Sequence, residues 1–410
     1  MKVLQINTTY KNGGSTGRIV YDLQQIQKQE NLGAYVAYGF NTSDTFESNT
    51  LCLQENFRRK INILRTRIFD HHGFYNEFET KKLLQWINEI KPDIIHLHNI
   101  HNHYVNVGML FDYIKANGIP VIWTLHDCWP FTGHCAYFDF VNCQKWKTGC
   151  NNCKSLSDYP KTWFFDRTKK NYMDKQRAFC GVKKLVLCPP SEWLGRLISE
   201  SFLKEYPINV INNGVDISLF HPAKDILSVK QKLKIVGKKM ILAVANIFNT
   251  RKGVEYLQKI PSLLNDDEVL VIVGIRKEQH RLFVHERCIT IDRTNNIQEL
   301  AEYYSSADVF INPTLEDNFP TTNIEALACG TPIVTFHTGG SIECITEKTG
   351  IIVKKYDLLG LVNASRKILE KGKSWYTTNC TESARLNYNK QIQYMKYIDL
   401  YKGMVKNEKA

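Results

Sequence analysis

Short apolar runs alternate with amphipathic stretches along most of the chain. "KVLQIN", "YVAYGF", "DIIHLHN", "PVIWTLHD", "KLVLCPP" and "PINVINNGVD" read as buried parallel strands, each followed by turn residues or a helical pattern. A second series follows Phe220, with "KMILAVAN", "VLVIVG", "CITID", "DVFINPT" and "TPIVTFHTGG" separated by helical segments such as "GVEYLQKIPSLL" and "IQELAEYYSSA". The pattern predicts two doubly wound α/β domains. Turn residues and Pro222 in "NNGVDISLFHPAKD" end the first series, so the domains are expected at 1–215 and 216–387. In the remaining segment, 388–410, Tyr394, Tyr397, Ile398 and Tyr401 fall on one face of a terminal helix.

A length of 410 residues agrees with two cores rather than one. Hydrophobic content of 43% and charged content of 23% exclude a disordered or fibrous chain. No run approaches the length of a membrane span and no signal-peptide pattern precedes the first strand, so a cytoplasmic protein is expected. Lys and Arg number 53 against 41 Asp and Glu, a formal charge of +12, which favours an anionic partner: a nucleotide phosphate, a nucleic acid or an acidic membrane surface. Most of the twelve cysteines are expected to be reduced and buried.

One stretch is unusual for the start of a buried helix. "EDNFPTTNIEALACGTP" opens with Glu316 and Asp317, breaks at Phe319 and Pro320, and passes through Thr321, Thr322 and Asn323 before it turns apolar. Backbone amides at a helix start, aided by the helix dipole, hold an anion without a side-chain charge, and Phe319 to Asn323 are expected to supply them. Asp317 and Glu325 bracket the loop and first turn, where carboxylates accept hydrogen bonds from the vicinal hydroxyls of a sugar or ribose; an N-cap by Asp317 with a solvated Glu325 fits the same residues. Four further stretches bear on the choice. "YKNGGSTGRI" puts Gly13, Gly14 and Gly17 in a loop that opens a helix, "NTRKGVEYL" puts Arg251 and Lys252 at a strand end, "TLHDCW" ends a strand with His126, and "VINNGVD" closes the first domain.

Together these residues resemble the family 4 retaining glycosyltransferases, in the branch of bacterial surface-polysaccharide synthesis that includes colanic-acid-type enzymes. The most specific pieces are "NNGVD", "RKG", and "EDNFPTTNIEALACGTP" followed by "GG" and Glu343. The resemblance implies a GT-B fold: two Rossmann-like domains facing across a cleft, acceptor on the first and nucleotide-sugar donor on the second, with the C-terminal helix crossing back to the first. It implies that Lys252, helped by Arg251, neutralises the donor diphosphate, that Glu325 holds the ribose hydroxyls, and that His126 orients the donor sugar. The family's first acid falls on Asp317 by spacing, yet the glutamate stands one place earlier, so Glu316 and Asp317 are both candidates for the sugar contact. Asn246 stands where an arginine is common, and the base is expected near Gly274 to Arg276 and Ile291 to Arg293. The implied reaction transfers a hexose from a UDP- or GDP-sugar to a lipid-linked or oligosaccharide acceptor with retention of configuration, and no catalytic metal is required.

Two segments lie outside this core pattern. In the cysteine-rich insertion, about 128–160, "CAYFDFVNCQKWKTGCNNC" spaces Cys135, Cys143, Cys150 and Cys153 as C-x7-C-x6-C-x2-C; structural zinc, disulfides and plain burial are the three candidates. "NFRRKINILRTRIFDHHGFY" sets Phe57, Ile61, Leu64 and Ile68 at helical spacing among Arg58, Arg59, Lys60, Arg65 and Arg67. That is either a basic interfacial helix at about 56–70, touching the inner face of an anionic membrane, or an ordinary helix with a solvated face. His96 and His98 share one face of a strand near His101 and His103, as core or cleft histidines. A nucleic-acid-binding protein is the alternative that the charge suggests, but the basic residues are dispersed and no nucleic-acid module is present, so no nucleic-acid partner is expected. A nucleotide-sugar epimerase of the same fold lacks identifiable acid and base groups.

Overall fold

The computed structural model describes residues 1–11, 13–40, 47–53 and 56–406. The chain divides into two compact units, one of Met1–Asn212 together with the chain from Tyr394 onward, the other of Asn213–Gln393. The first unit holds six parallel strands, β1 (Lys2–Asn7), β2 (Gly33–Tyr38), β3 (Thr50–Cys52), β4 (Ile94–Leu97), β5 (Val121–Thr124) and β6 (Leu185–Cys188), in the order β3-β2-β1-β4-β5-β6. The second holds β7 (Lys239–Val244), β8 (Glu268–Val273), β9 (Cys288–Ile291), β10 (Val309–Asn312), β11 (Ile333–Phe336) and β12 (Gly350–Val353), in the order β12-β11-β10-β7-β8-β9. β1 pairs on one side with β2, Val3 opposite Ala34, and on the other with β4, Val3 opposite Ile94. Strands flanked on both sides and covered by helices must be apolar throughout, which is why they read as unbroken runs.

Both sheets reverse their strand order at one place, between β1 and β4 in the first and between β7 and β10 in the second. A crevice opens there beyond the carboxyl ends of the strands, because the connections on either side lead away from it.

The strand expected over "PINVINNGVD" does not form; only single bridges join Leu187 to Ile208 and Val215 to Asn389. Its neighbour β6 runs directly into Pro189 and Pro190, which have no N–H to extend a ladder, so the chain follows that edge with isolated bonds such as Ile211 N to the Pro189 carbonyl, 3.1 Å. β3 and β12 are additional strands. β3 is three residues long with no fully buried position, too little pattern to stand out from its polar surroundings.

Tyr394, Tyr397, Ile398 and Tyr401, on the helix Lys390–Lys406, bury against Val3, Ile94, Ile122 and Cys188 of the first sheet. Two of the hydroxyls find partners there: Tyr397 meets Thr124 Oγ1 at 2.8 Å, and Tyr401 meets His96 Nδ1 at 2.6 Å. Burying Ile398 alone is worth about 2 kcal/mol.

Candidate functional site

In the second unit the loops after β7 and β10 are tied together at the sheet's reversal point. Asn249 accepts from the Lys252 amide, 3.0 Å, and caps a single 3₁₀ turn, Thr250–Lys252. Gly253 ends it at φ 72°, where a Cβ would sit 2.0 Å from the Pro313 carbonyl oxygen, so no other residue fits that approach. The Leu315 amide donates to the Arg251 carbonyl at 2.7 Å, and Arg251 Nη1 donates to the Glu316 carbonyl at 2.6 Å.

This scaffold aims Lys252 at Asp317. The ammonium donates to Asp317 Oδ2, and Arg251 Nη1 lies 3.9 Å from Oδ1. Burial pushes the Lys252 ammonium down and Asp317 offsets this only in part. Burial would raise Asp317, but Lys252 and Arg251 outweigh it and hold the carboxyl below its usual range. Asp317 therefore meets the basic pair through its side chain. Glu316 is fully buried and meets Arg251 through its backbone.

The helix after this loop runs Thr321–Ala328, with Pro320 at its N-cap and no side-chain cap. The expectation that Phe319 to Asn323 all offer amides is corrected at two places. Pro320 has no N–H, and the Asn323 amide is spent on the Pro320 carbonyl at 3.1 Å. The Asn323 side chain is structural too: its Oδ1 accepts from Asn312 Nδ2 at 2.8 Å, and its Nδ2 donates to the Ser341 carbonyl at 2.9 Å. Phe319 packs its ring 5.6 Å from Tyr388, and Thr321 and Thr322 are half-buried. Glu325 is buried and accepts at Oε2 from the Tyr304 hydroxyl, 3.0 Å, a partner on the helix Ile297–Ser306 that no sequence signal marked. Asn246 is exposed just beyond β7, while Gly274 and exposed Arg276 follow β8.

Gly13, Gly14 and His126 belong to the first unit, at the ends of β1 and β5. His126 Nε2 lies 3.1 Å from His98 Nδ1 with the rings stacked, and burial pushes His126 down to about 4, so it is neutral near pH 7. Beside it is a chain the sequence reading passed over: Asp127 Oδ2 accepts from His101 Nε2 at 2.9 Å, and His101 Nδ1 lies 2.7 Å from the Tyr159 hydroxyl. Because Asp127 only accepts, Nε2 is the nitrogen of His101 that carries a proton toward it, and with a single ring proton Tyr159 donates to Nδ1.

Cys135, Cys143, Cys150 and Cys153 line one cavity together with His134, Phe138 and Trp146. All are free thiols. The hydrogen bond from Cys135 draws the Cys153 thiol down to about 6 and holds Cys135 up. Among the described residues, no three His, Cys, Asp or Glu side chains are placed to hold a metal ion between them as they stand.

The basic segment forms the helix Asn56–Phe69, and it is inverted. Asn62, Thr66 and the following Asp70 are buried, while Phe57 is 73% exposed, Ile61 44% and Leu64 49%. The loop after the cysteine cluster joins this apolar face: Phe165 stacks on Phe69 at 6.0 Å, the Trp163 amide donates to the Arg67 carbonyl, and Phe164 is 74% exposed. Among the described residues no helix is long and apolar enough to cross a membrane.

Comparison with known proteins places the two units. A family model described as "Glycosyltransferase Family 4" matches residues 42–219, and one described as "Glycosyl transferases group 1" matches residues 238–371. The putative colanic acid biosynthesis glycosyl transferase WcaC of Escherichia coli (strain K12) is 24% identical over 98% of this chain and 100% of its own length. The N,N'-diacetylbacillosaminyl-diphospho-undecaprenol alpha-1,3-N-acetylgalactosaminyltransferase of Campylobacter jejuni is 27% identical over 50% of this chain and 57% of its own. Among solved structures, sucrose-phosphate synthase from Thermosynechococcus elongatus superposes with a TM-score of 0.74 at 17% identity, covering 99% of this chain and 100% of that one. Anabaena HepE in complex with UDP-glucose gives 0.66 at 15%, covering 98% and 100%.

Proposed function

Because the chain belongs to the family 4 glycosyltransferases and has their GT-B fold, we propose that it moves a hexose from a UDP- or GDP-sugar to a lipid-linked or oligosaccharide acceptor. Configuration is retained in this scheme, and the product is a surface polysaccharide such as O-antigen, capsule or exopolysaccharide. The observation that supports it most is the pairing of Lys252 and Arg251 with Asp317 at the reversal point of the second sheet, beside the start of the helix Thr321–Ala328. HepE binds UDP-glucose at that level of fold, and the Campylobacter relative is named for a diphospho-undecaprenol acceptor.

In this scheme the donor diphosphate takes Lys252 from Asp317, which frees the carboxylate to accept from a sugar hydroxyl. Glu325 holds the ribose. The bond from the anomeric carbon to the phosphate oxygen breaks, the acceptor oxygen bonds on the same face, and the departing phosphate oxygen takes the acceptor's proton. Lysine and backbone amides carry the charge that a metal carries elsewhere. Thermal unfolding with UDP, GDP and their sugars tests the donor side. A nucleotide at 100 times its Kd should add about 2.7 kcal/mol, a rise of roughly 5–10 °C, and Glu325→Gln, which still accepts from Tyr304, should lose most of that rise. No shift with either nucleotide would remove the reading.

The inverted helix supports a peripheral position on the inner face of the cytoplasmic membrane. An ordinary amphipathic helix turns its apolar face to the core; this one turns Phe57, Ile61 and Leu64 outward among arginines and adds Trp163 and Phe164 beside them. Aromatic and aliphatic groups enter the headgroup boundary while Arg58, Arg65 and Arg67 meet anionic lipid. The full chain should float with vesicles containing phosphatidylglycerol and not with neutral ones, and Phe57→Ser/Phe164→Ser should cut the bound fraction several-fold with turnover on a soluble acceptor unchanged. Equal flotation of the variant would exclude this face.

A further inference from the structure

Besides its four thiols and aromatic walls, the cysteine cavity holds an imidazole with one nitrogen spoken for and the other not. His134 is 2% exposed and lines the cavity. Its Nδ1 meets Asp70 Oδ1 at 2.6 Å, while its Nε2 is buried without a hydrogen-bond partner. Asp70 is itself fixed, since its Oδ2 accepts from the Arg167 amide at 2.9 Å and its carbonyl from Asn171 Nδ2 at 2.6 Å. A carboxylate accepts only, so in the neutral ring the proton sits on Nδ1 and the Nε2 lone pair is the atom left over. A buried polar atom without a partner is destabilising unless something uses it. A carboxylate that orients a histidine so that its second nitrogen offers a lone pair is the arrangement found around zinc-ligating histidines.

The geometry points to a structural zinc site in this cavity, its four donors drawn from the thiolates of Cys135, Cys143, Cys150 and Cys153 and from His134 Nε2. Sulfur and imidazole donors in this number select zinc over the harder oxygen-seeking cations, and a fully protein-ligated site leaves no open position for catalysis. The donors line one cavity, and among the described residues no three of them yet close on a common point. Binding releases the thiol protons and replaces the Cys135–Cys153 hydrogen bond with two metal–sulfur bonds.

The surroundings say what the ion would do. Three short 3₁₀ turns, Trp129–Phe131, Asp139–Val141 and Lys145–Lys147, are the only regular structure among the described residues between β5 and the helix Thr168–Phe179. The Cys153 amide is held by Asp166 Oδ2 at 2.9 Å, and the same carboxylate's Oδ1 accepts from the Thr168 amide at 2.9 Å, so a crosslink at Cys153 reaches directly to the base of the loop that carries Trp163 to Phe165. Zinc thus staples a segment that has too few backbone ladders to order itself.

Metal analysis of the full chain, purified without chelator, should give one zinc per chain, and a mercurial that caps thiols should release it. Cobalt(II) added to chelator-treated protein should produce sulfur-to-metal charge-transfer absorption and the visible bands of a tetrahedral ion. Cys150→Ser should lose the metal; should that variant fail to fold, the cobalt spectrum of the wild-type chain decides. His134→Ala should weaken zinc retention at least tenfold, and unchanged retention would remove the imidazole from the site. A metal-free chain whose cobalt spectrum lacks sulfur bands overturns the proposal, as does an intact mass short of two or four hydrogens, which means disulfides.

Discussion

Replacing Lys252 by alanine should lower kcat/KM for the donor by a factor of about 10²–10³ while the chain stays folded. In the proposed reaction the diphosphate gains negative charge as its bond to the anomeric carbon breaks, and the Lys252 ammonium would stabilise that growing charge more than the bound donor, so the loss should fall chiefly on kcat. Stability should change little. Asp317 is not orphaned by the change, because Arg251 lies 3.9 Å from its other oxygen and already shares its charge. Arg251→Ala tests the division of labour: its guanidinium is tied to the Glu316 carbonyl, so this variant should loosen the loop and raise KM more than it lowers kcat. Steady-state kinetics with a thermal unfolding scan on each protein check both statements, and near-normal turnover of Lys252→Ala would contradict the assigned role.

The residues that could be read from the chain and those that could not differ for physical reasons. Lys252 and Asp317 were legible because both follow strands that lie side by side, β7 and β10, and a doubly wound sheet brings the ends of such strands to one crevice. Tyr304 was not, because a buried tyrosine in an amphipathic helix looks like core until its hydroxyl is seen to reach Glu325. The helix Asn56–Phe69 shows a deeper limit. Helical spacing separates two faces but does not say which one faces inward, and here Asn62 and Thr66 go in because they meet Asn76 and His103. His134 carried no signal beyond its place beside Cys135, since its partner Asp70 is 64 residues away.

The first unit should lose stability steeply as pH falls from about 6.5 to 4.5, before most ordinary carboxylates are protonated. Burial pushes His96 and His103 down to about 3 and His126 to about 4, and it drives His72 and His98 well below the usual histidine range. Neighbouring charges add to this: His98 faces His96 and His126, and His103 faces Arg59 and Arg67, so only His126 has a compensating acid close by, in Asp127. In the unfolded chain these rings take protons near 6.5. Below that pH the unfolded state binds more protons than the folded one, so stability rises with pH and falls on acidification. Each fully depressed histidine contributes ~1.4 kcal/mol per pH unit, and His96, His103 and His126 alone should remove on the order of 5 kcal/mol by pH 5, comparable with the whole stability of many domains. Six of the seven tryptophans, Trp86, Trp123, Trp129, Trp146, Trp163 and Trp193, lie in this unit, so tryptophan emission during urea unfolding at a series of pH values reports on it. His98→Gln, which keeps a polar group toward Gln5 and removes one titrating ring, should flatten the slope by up to ~1.4 kcal/mol per pH unit. A stability that stays level from pH 6.5 to 4.5 would mean that the buried rings accept protons as readily as free histidine.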